Sequence, residues 1–169
     1  EIRELLKLTQ SPGFISLAGG LPNPQSFPID VIHQCIEKVF HTNIYNALQY
    51  GTTEGLPLPR NVLAQRMRER KGIDCELHDI LITSGAQQAL SFVAFNLLDP
   101  GDTYITSAPT YLGALQAFHA YQGNCECIPM NDEGIDIDSL RRNLKRLHRT
   151  GITPKFLYAV ATFQNPSGE

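Results

Sequence analysis

Residues 103–129, TYITSAPTYLGALQAFHAYQGNCECIP, decide the fold through the spacing of their apolar side chains. Residues 103–107 form a short apolar run that predicts a buried strand, and residues 111–122 follow a helical pattern that stops at Gly123. Residues 125–129 predict a further strand. A strand, a helix and another strand in this order predict a βαβ unit with parallel strands.

The same alternation continues on both sides of this unit. Upstream, residues 80–83 predict a short buried strand, and residues 87–98 predict a helix so apolar that we expect it to be buried. Downstream, we expect Asp138 to cap a helix that runs to about residue 149, and residues 155–162 predict a fourth strand. Strands that alternate with helices over these lengths predict an α/β fold with a mainly parallel sheet.

The first part of the chain has a different character. Residues 2–9 predict a short amphipathic helix. Residues 11–28 contain so many prolines and glycines that they predict an extended arm. A helix capped by Asp30 is expected over residues 31–41.

A basic helix is predicted at residues 60–71, with Pro59 in its first turn. We therefore expect two parts in the chain. Residues 1–45 would form the arm and the first helices, and residues 46–169 would form the first portion of a large α/β domain.

The composition excludes several classes of protein. The chain has 169 residues, of which 42% are hydrophobic and 18% charged, as in globular proteins. A net charge of −3 argues against nucleic acid as a partner. We see no apolar run near the ~20 residues that span a bilayer and no signal-peptide pattern, so we expect a cytoplasmic protein without a membrane segment.

Four cysteines and five histidines raise the question of a metal site. Cys125 and Cys127 are two residues apart on a predicted strand and therefore face the same side. No second cysteine pair completes a four-ligand zinc set, and the histidines show no ligand spacing. The sequence therefore predicts free thiols and no metal site.

Three segments that follow predicted strands have residues suited to a ligand, because ligands of open α/β sheets bind beyond the carboxyl ends of the strands. Ser84-Gly85-Ala86-Gln87 combines a glycine with the free N–H groups of a helix start, which suit a phosphate dianion or form a plain turn. Tyr111 can stack on a flat ligand or simply pack. The turn Gln164-Asn165-Pro166-Ser167-Gly168 can orient a ligand through its amides or be only a turn.

Taken in order, these segments resemble pyridoxal-phosphate (PLP)-dependent aminotransferases of class I and II, fold type I. Ile15-Ser16-Leu17-Ala18-Gly19-Gly20-Leu21-Pro22-Asn23-Pro24 resembles the N-terminal arm of the 2-aminoadipate and kynurenine aminotransferase branch. Leu48-Gln49-Tyr50-Gly51 and Glu54-Gly55-Leu56-Pro57 follow in the order of that branch. The resemblance extends over nearly the whole chain. It implies an incomplete three-layer αβα large domain with a mainly parallel sheet and an N-terminal arm.

The resemblance implies that the cofactor is pyridoxal 5′-phosphate. Gly85, Ala86 and Gln87 would hold its phosphate at the helix start. Many relatives have serine where Ala86 stands, so one hydroxyl contact is missing there. Tyr111 would stack on the pyridine ring, and Asn165 would donate a hydrogen bond to the phenolic oxygen, which tunes the electronics of the cofactor.

Further roles implied by the resemblance concern the subunit partner and the substrate. Tyr50 would reach the phosphate bound by the neighbouring subunit, which makes a homodimer the expected assembly. Gly20 and Leu21 would line the substrate pocket, and Arg3 would contact a substrate carboxylate.

In this family the lysine that binds PLP covalently follows the Asn-Pro-Ser-Gly turn, so we expect no catalytic lysine here. None of the lysines in this chain lies in a sequence context that matches the family's catalytic lysine: Lys7, Lys38, Lys71, Lys145 and Lys155. The chain is thus expected to be an inactive N-terminal fragment. Its parent would transfer an amino group between an amino acid and a 2-oxo acid.

Two alternatives remain open. One is an aminotransferase-like sensor domain of a winged-helix transcriptional regulator, because such proteins share the Ala-Gly-Gly-Leu-Pro arm and the Gln-Asn-Pro-Ser-Gly turn. A basic winged-helix domain before Glu1 would establish it. The other is an unrelated nucleotide-binding domain, for which the sequence has no glycine-rich fingerprint.

Overall fold

The structure is a computed structural model that describes residues 13, 15 and 22–169. The chain divides into two compact units, Glu1–Leu56 and Pro57–Glu169. The helix predicted at residues 2–9 and half of the arm predicted at residues 11–28 lie outside the described residues.

Helix α1, Ile29–Leu48, is the main element of the first unit. A 3-10 turn at Pro24–Ser26 precedes it. The helix is longer at both ends than predicted, and Pro28 is its N-cap residue, so the prediction of Asp30 as the cap was wrong. Asp30 lies instead in the first turn, where its negative charge faces the positive end of the helix dipole.

The second unit begins with helix α2, Pro57–Lys71. This confirms the predicted basic helix, with a start slightly before Pro59. Arg60 is buried, and its guanidinium donates hydrogen bonds to the carbonyl oxygens of Ile80, at 2.9 Å, and Leu77, at 2.7 Å. One arginine therefore anchors α2 to the stretch that leads into the next helix.

A four-stranded sheet forms the centre of this unit. Its strands are β1, Thr103–Ala108, β2, Asn124–Asn131, β3, Gly134–Ile135, and β4, Leu157–Tyr158, in the spatial order β3-β2-β1-β4. Strand β1 runs parallel to both β2 and β4, and β3 forms an antiparallel hairpin with β2. The predicted mainly parallel sheet is confirmed.

Helices cover both faces of the sheet. Helices α3, Gly85–Leu97, and α4, Leu112–Ala120, pack on the face where Tyr104 meets Phe118 with ring centroids 5.0 Å apart. Helix α5, Ile137–Arg149, packs on the opposite face through Leu147, which meets Ile105 and Ile128. Neighbouring residues of a strand point to opposite faces, so β1 supplies one side chain to each core. The result is the expected three-layer αβα arrangement.

Two predictions beside the first ligand segment were wrong. Residues 80–83 are not a strand and form no ladder with any strand in the described part of the chain, and Leu81 and Ile82 are exposed. Helix α3 is only partly buried: Ala94 is fully covered, whereas Phe95 is 68% exposed. Both errors have one cause, since an apolar segment becomes a strand or a buried helix only when a neighbour covers it.

Helix α5 and strand β4 also differ in detail from the predictions. Asp136, not Asp138, is the N-cap of α5, and its carboxylate accepts a hydrogen bond from the Ser139 N–H at 3.0 Å. Asp138 lies in the first turn. Only Leu157–Tyr158 of the predicted fourth strand is paired as a strand.

Candidate cofactor site

The start of α3 presents unpaired backbone donors at its first turn. Gly85 has a φ of +78°, and a Cβ there would meet nothing within 4 Å, so glycine is required by the backbone conformation and not by lack of space. The Gly85 N–H donates to the Thr83 carbonyl at 2.9 Å. For the N–H groups of Ala86 and Gln87, no backbone acceptor lies among the residues that the structure describes. These two donors are available to an anion, whose charge the helix dipole favours.

The side chain of Gln87 joins this helix start to the next segment. Its amide nitrogen donates to the carbonyl oxygen of Gly113 in the first turn of α4, at 3.0 Å. The two helix starts are therefore held beside each other at the carboxyl end of the sheet. The amide oxygen of Gln88 accepts a hydrogen bond from the Ser84 N–H, four residues earlier in the chain, at 2.6 Å.

Tyr111 is the N-cap residue of α4 and is partly buried. Its ring lies over the backbone of Gly113: a Cβ on that glycine would be 2.5 Å from the Cζ atom and 2.5 Å from the hydroxyl oxygen of Tyr111. Gly113 therefore makes room for the tyrosine ring. The ring also packs against the core around Phe118.

Gln164 is the residue whose importance the sequence did not reveal. Its side chain is only 3% exposed, and its amide nitrogen donates to the Pro109 carbonyl at 2.8 Å. Its amide oxygen accepts from the Ser167 N–H at 2.8 Å and from the Ser167 hydroxyl at 2.7 Å. Gln164 thus closes its own turn and fastens that turn to the segment before Tyr111.

The structure brings the three predicted segments together at the carboxyl end of β1. Gln87 ties the first to the second, and Gln164 ties the third to the second. Asn165 is exposed, in a turn next to the buried Gln164. The only signal in the sequence for Gln164 is its position before Asn-Pro, shortly after the strand predicted at residues 155–162.

Four further predicted site residues lie in the first part of the chain. Tyr50 lies in the first unit and is 98% exposed. Arg3, Gly20 and Leu21 lie outside the described residues.

A cavity of about 650 Å³ opens beside the cluster, between the β2–β3 hairpin, the start of α5 and the chain after β4. Ser107 and Gln164 are part of its wall, but none of the predicted cofactor-binding residues lines it. Several carboxylates do, and hydrogen bonds from Ser139 to Asp136 hold the pKa of that carboxyl below its ordinary value. A phosphate dianion is repelled by such a wall, so the start of α3 is the better anion site.

Within the part of the chain that the structure describes, no three His, Cys, Asp or Glu side chains lie close enough to hold a metal ion together. Every helix in that part is too short or too polar to cross a lipid bilayer.

The three-layer αβα arrangement, with a glycine-opened helix start at the carboxyl edge of its sheet, matches the large domain of fold type I PLP-dependent enzymes. The sequence matches the family described as aminotransferase class I and II over residues 17–169. The chain belongs to this family, whose enzymes depend on PLP.

Individual relatives agree with this assignment. The chain is 46% identical to aromatic-amino-acid aminotransferase 1 of Thermococcus litoralis, over 99% of the chain and 40% of that protein. It is 41% identical to 2-aminoadipate transaminase of Thermus thermophilus, over 99% of the chain and 39% of that protein. The crystal structure of Pyrococcus horikoshii kynurenine aminotransferase matches with a TM-score of 0.92 and 45% identity, over 98% of the chain and 41% of that structure.

The chain thus spans about 40% of the length of these relatives. A more distant match, 28% identical over 99% of the chain and 35% of the other protein, is the Escherichia coli HTH-type transcriptional regulator YdcR.

Proposed function

We propose that the full-length protein containing this chain is a PLP-dependent aminotransferase that moves an amino group from an amino acid to a 2-oxo acid. The observation that supports this most is the pair of hydrogen bonds from Gln87 and Gln164. They bring a free helix start, an aromatic ring and an exposed asparagine to one edge of the sheet, and PLP needs a phosphate site, a ring contact and a polar partner for its phenolic oxygen.

The residues present fit the phosphate of PLP. The N–H groups of Ala86 and Gln87 lack backbone acceptors among the described residues and would donate to the phosphate oxygens. The positive φ of Gly85 turns the chain so that these donors open the helix. Because a methyl group stands at position 86, the site depends on backbone donors more than a serine-containing site would.

The residues present also fit the ring of the cofactor. Tyr111, at the start of α4, would stack on the pyridine ring. Asn165 is exposed and would donate a hydrogen bond to the phenolic oxygen. Gln164 holds the turn that contains Asn165, so its role is positioning. When bound, PLP supplies an electron sink for the carbanion that forms when a proton leaves the substrate α-carbon.

Contacts from outside this cluster complete the proposal. Tyr50 would reach the phosphate of the neighbouring subunit in a homodimer. Gly20, Leu21 and Arg3 would contact the substrate. We further propose that the protein works in the cytoplasm and that its substrates resemble those named for its relatives, such as aromatic amino acids, kynurenine or 2-aminoadipate.

Absorbance of the full-length protein tests the proposal. Added PLP should give a bound-cofactor band near the visible range, and an amino donor should then change that band. A protein that shows no bound-cofactor band, or a band that no amino donor alters, would defeat the proposal.

Two substitutions at one position test the phosphate site. Ala86→Pro removes one backbone donor while proline remains compatible with a first helical turn. We expect PLP affinity to fall by roughly 10- to 100-fold, because a hydrogen bond to a charged group contributes about 1.5–3 kcal/mol. Ala86→Ser adds a hydroxyl donor and should raise affinity. Equal PLP affinity in both variants would contradict this site.

We propose that the 169 residues alone do not catalyse transamination. Lys155 pairs with Asp102 at 3.1 Å, at the amino end of β1 and opposite the proposed cofactor edge. Turnover by the purified 169-residue chain would refute this statement.

The match to YdcR keeps a regulator as the second candidate. A regulator of this type would bind DNA through a basic domain before Glu1. Specific DNA binding by the full-length protein, together with no turnover of any amino donor, would favour this candidate over the aminotransferase.

A further inference from the structure

Cys125 and Cys127 lie side by side on strand β2. Both are free and exposed, and their Sγ atoms are 3.6 Å apart. Residues two apart on a strand have Cα atoms about 6.6 Å apart, so the two side chains lean toward each other. The chain therefore presents two sulfur atoms that can reach one common ligand.

The position of the pair in the sheet explains its exposure. Along β1, Tyr104 is the register partner of Cys125, and Thr106 is the partner of Cys127. Both partners are buried and close one side of the pair. On the other side, β3 pairs only with the last two residues of β2, so within the described part of the chain the edge next to both cysteines is open.

The charged neighbour between the two cysteines does not compete for a ligand. Glu126 points to the opposite face of the sheet, as alternation along a strand requires. There its carboxylate accepts a hydrogen bond from Arg146 at 2.6 Å. The two sulfur atoms are therefore the ligand atoms that this stretch offers on its open face.

The sulfur separation suits an ion bound between the two atoms. With metal–sulfur bonds of about 2.3 Å, two thiolates on a tetrahedral ion are about 3.8 Å apart. A disulfide needs Cβ atoms about 3.8 Å apart, which the spacing along a strand opposes. The observed 3.6 Å is thus close to the span of a chelated ion.

We propose that Cys125 and Cys127 form a bidentate site for a soft, thiophilic dication such as Zn²⁺ or Cd²⁺. The ion forms two metal–sulfur bonds, two thiol protons go to solvent, and no oxidation state changes. Water fills the remaining positions of the ion. This proposal departs from the sequence analysis, which predicted free thiols and no metal site.

Both sulfurs must lose a proton on binding, so the affinity rises with pH and is modest near neutrality. The site is independent of the proposed PLP function.

Titration of the full-length protein with Cd²⁺ tests the site, with thiolate-to-cadmium ultraviolet absorption as the signal. We compare the wild type with Cys125→Ser, Cys127→Ser and the double variant. Cys35→Ser is the matched control, because Cys35 is also an exposed free thiol. Zn²⁺ should displace the bound Cd²⁺ in competition.

We expect the wild type to bind one Cd²⁺ more than the double variant. Each single variant should lose ~100-fold or more in affinity for that ion, because the second sulfur acts at high effective concentration. Isothermal titration in two buffers should show about two protons released per ion at neutral pH. Cys35→Ser should bind like the wild type.

Three results would overturn the proposal. In one, either single variant keeps wild-type affinity, so that the sulfurs do not act together. In the second, the double variant binds as many ions as the wild type. In the third, the wild type binds no Cd²⁺ at any pH between about 6 and 9, although far-ultraviolet circular dichroism shows it folded.

Discussion

Replacing Gln164 by leucine should destabilise the fold and weaken cofactor binding together. The substitution removes three hydrogen bonds, one to the Pro109 carbonyl and two from Ser167. A hydrogen bond contributes about 1 kcal/mol net, and a buried group left without its partner costs about 1–3 kcal/mol. Leucine fills most of the volume and offsets part of this loss. We expect the free energy of unfolding to fall by about 2–4 kcal/mol.

Urea unfolding of the full-length protein measures the effect. The midpoint should fall while the slope stays the same, since the surface exposed on unfolding is similar. Gln65→Leu is the matched control, because Gln65 is exposed and, among the described residues, its side chain bonds only Glu69 one turn further along α2. Its effect should stay within about 0.5 kcal/mol.

PLP titration of the same variants separates positioning from stability. Gln164→Leu should bind PLP more weakly at temperatures where it is fully folded, because the turn that holds Asn165 is no longer fastened to Pro109. If the free energy of unfolding of Gln164→Leu stays within about 0.5 kcal/mol of the wild-type value, the hydrogen bonds of Gln164 to Pro109 and Ser167 do not stabilise the fold as argued. Weakened stability with unchanged PLP affinity would refute its role in positioning Asn165.

Three further predictions concern the packing and the charges around the sheet. Gly113→Ala should lower stability by about 1–3 kcal/mol by overpacking against Tyr111, and thermal unfolding should show that the added Tyr111→Ala change restores part of the loss. Phe118→Ala should lower the free energy of unfolding by about 3–5 kcal/mol, measured in urea, because the ring is fully buried. Hydrogen bonds from Arg146 and Asn143 lower the pKa of Glu126. The stability that this pair adds is therefore present above the unfolded pKa of about 4.3 and is lost as pH falls through the lower folded pKa. In Glu126→Gln, the loss of urea stability on acidification below about pH 4.3 should be smaller.

Controls and contrary results follow from the same contacts. Phe163→Ala is the control for Phe118→Ala, because Phe163 is 82% exposed. Equal losses in these two variants would contradict the assigned core. An unchanged melting temperature in Gly113→Ala would contradict the position of the Tyr111 ring. An identical acid profile for Glu126→Gln and the wild type would show that the Arg146 pair adds no stability.

The elements that the sequence predicted well are those whose signal is local. Strand β1, helix α4 and strand β2 follow one another within a single stretch, and each has its own apolar spacing. Residues 80–83 have an equally strong apolar pattern, yet a ladder needs a partner strand, and the described residues provide none there. The local pattern therefore shows that residues 80–83 are apolar, but it does not show whether they pair with another strand.

The candidate site divides along the same line. A glycine at position 85 indicates a backbone conformation that other residues rarely adopt, and Gly85 does have a positive φ. Gln164 and Gly113 have no such signal, because their roles depend on which distant group each one meets. The sequence could predict a turn at residues 164–168 but not that Gln164 is the buried amide that fastens it to Pro109.

The clamp between Gln164 and Pro109 joins residues 55 positions apart. Ribosomes add about 5–20 residues per second, so roughly 3–11 s of synthesis separate the two halves of this contact. During that interval the helix starts at Gly85 and Leu112 can already lie beside each other. The hydrogen bond from Gln164 to Pro109 has not yet formed. A nascent chain arrested shortly before Gln164 should therefore be cut by protease near Pro109, and one arrested well after Glu169 should be protected there.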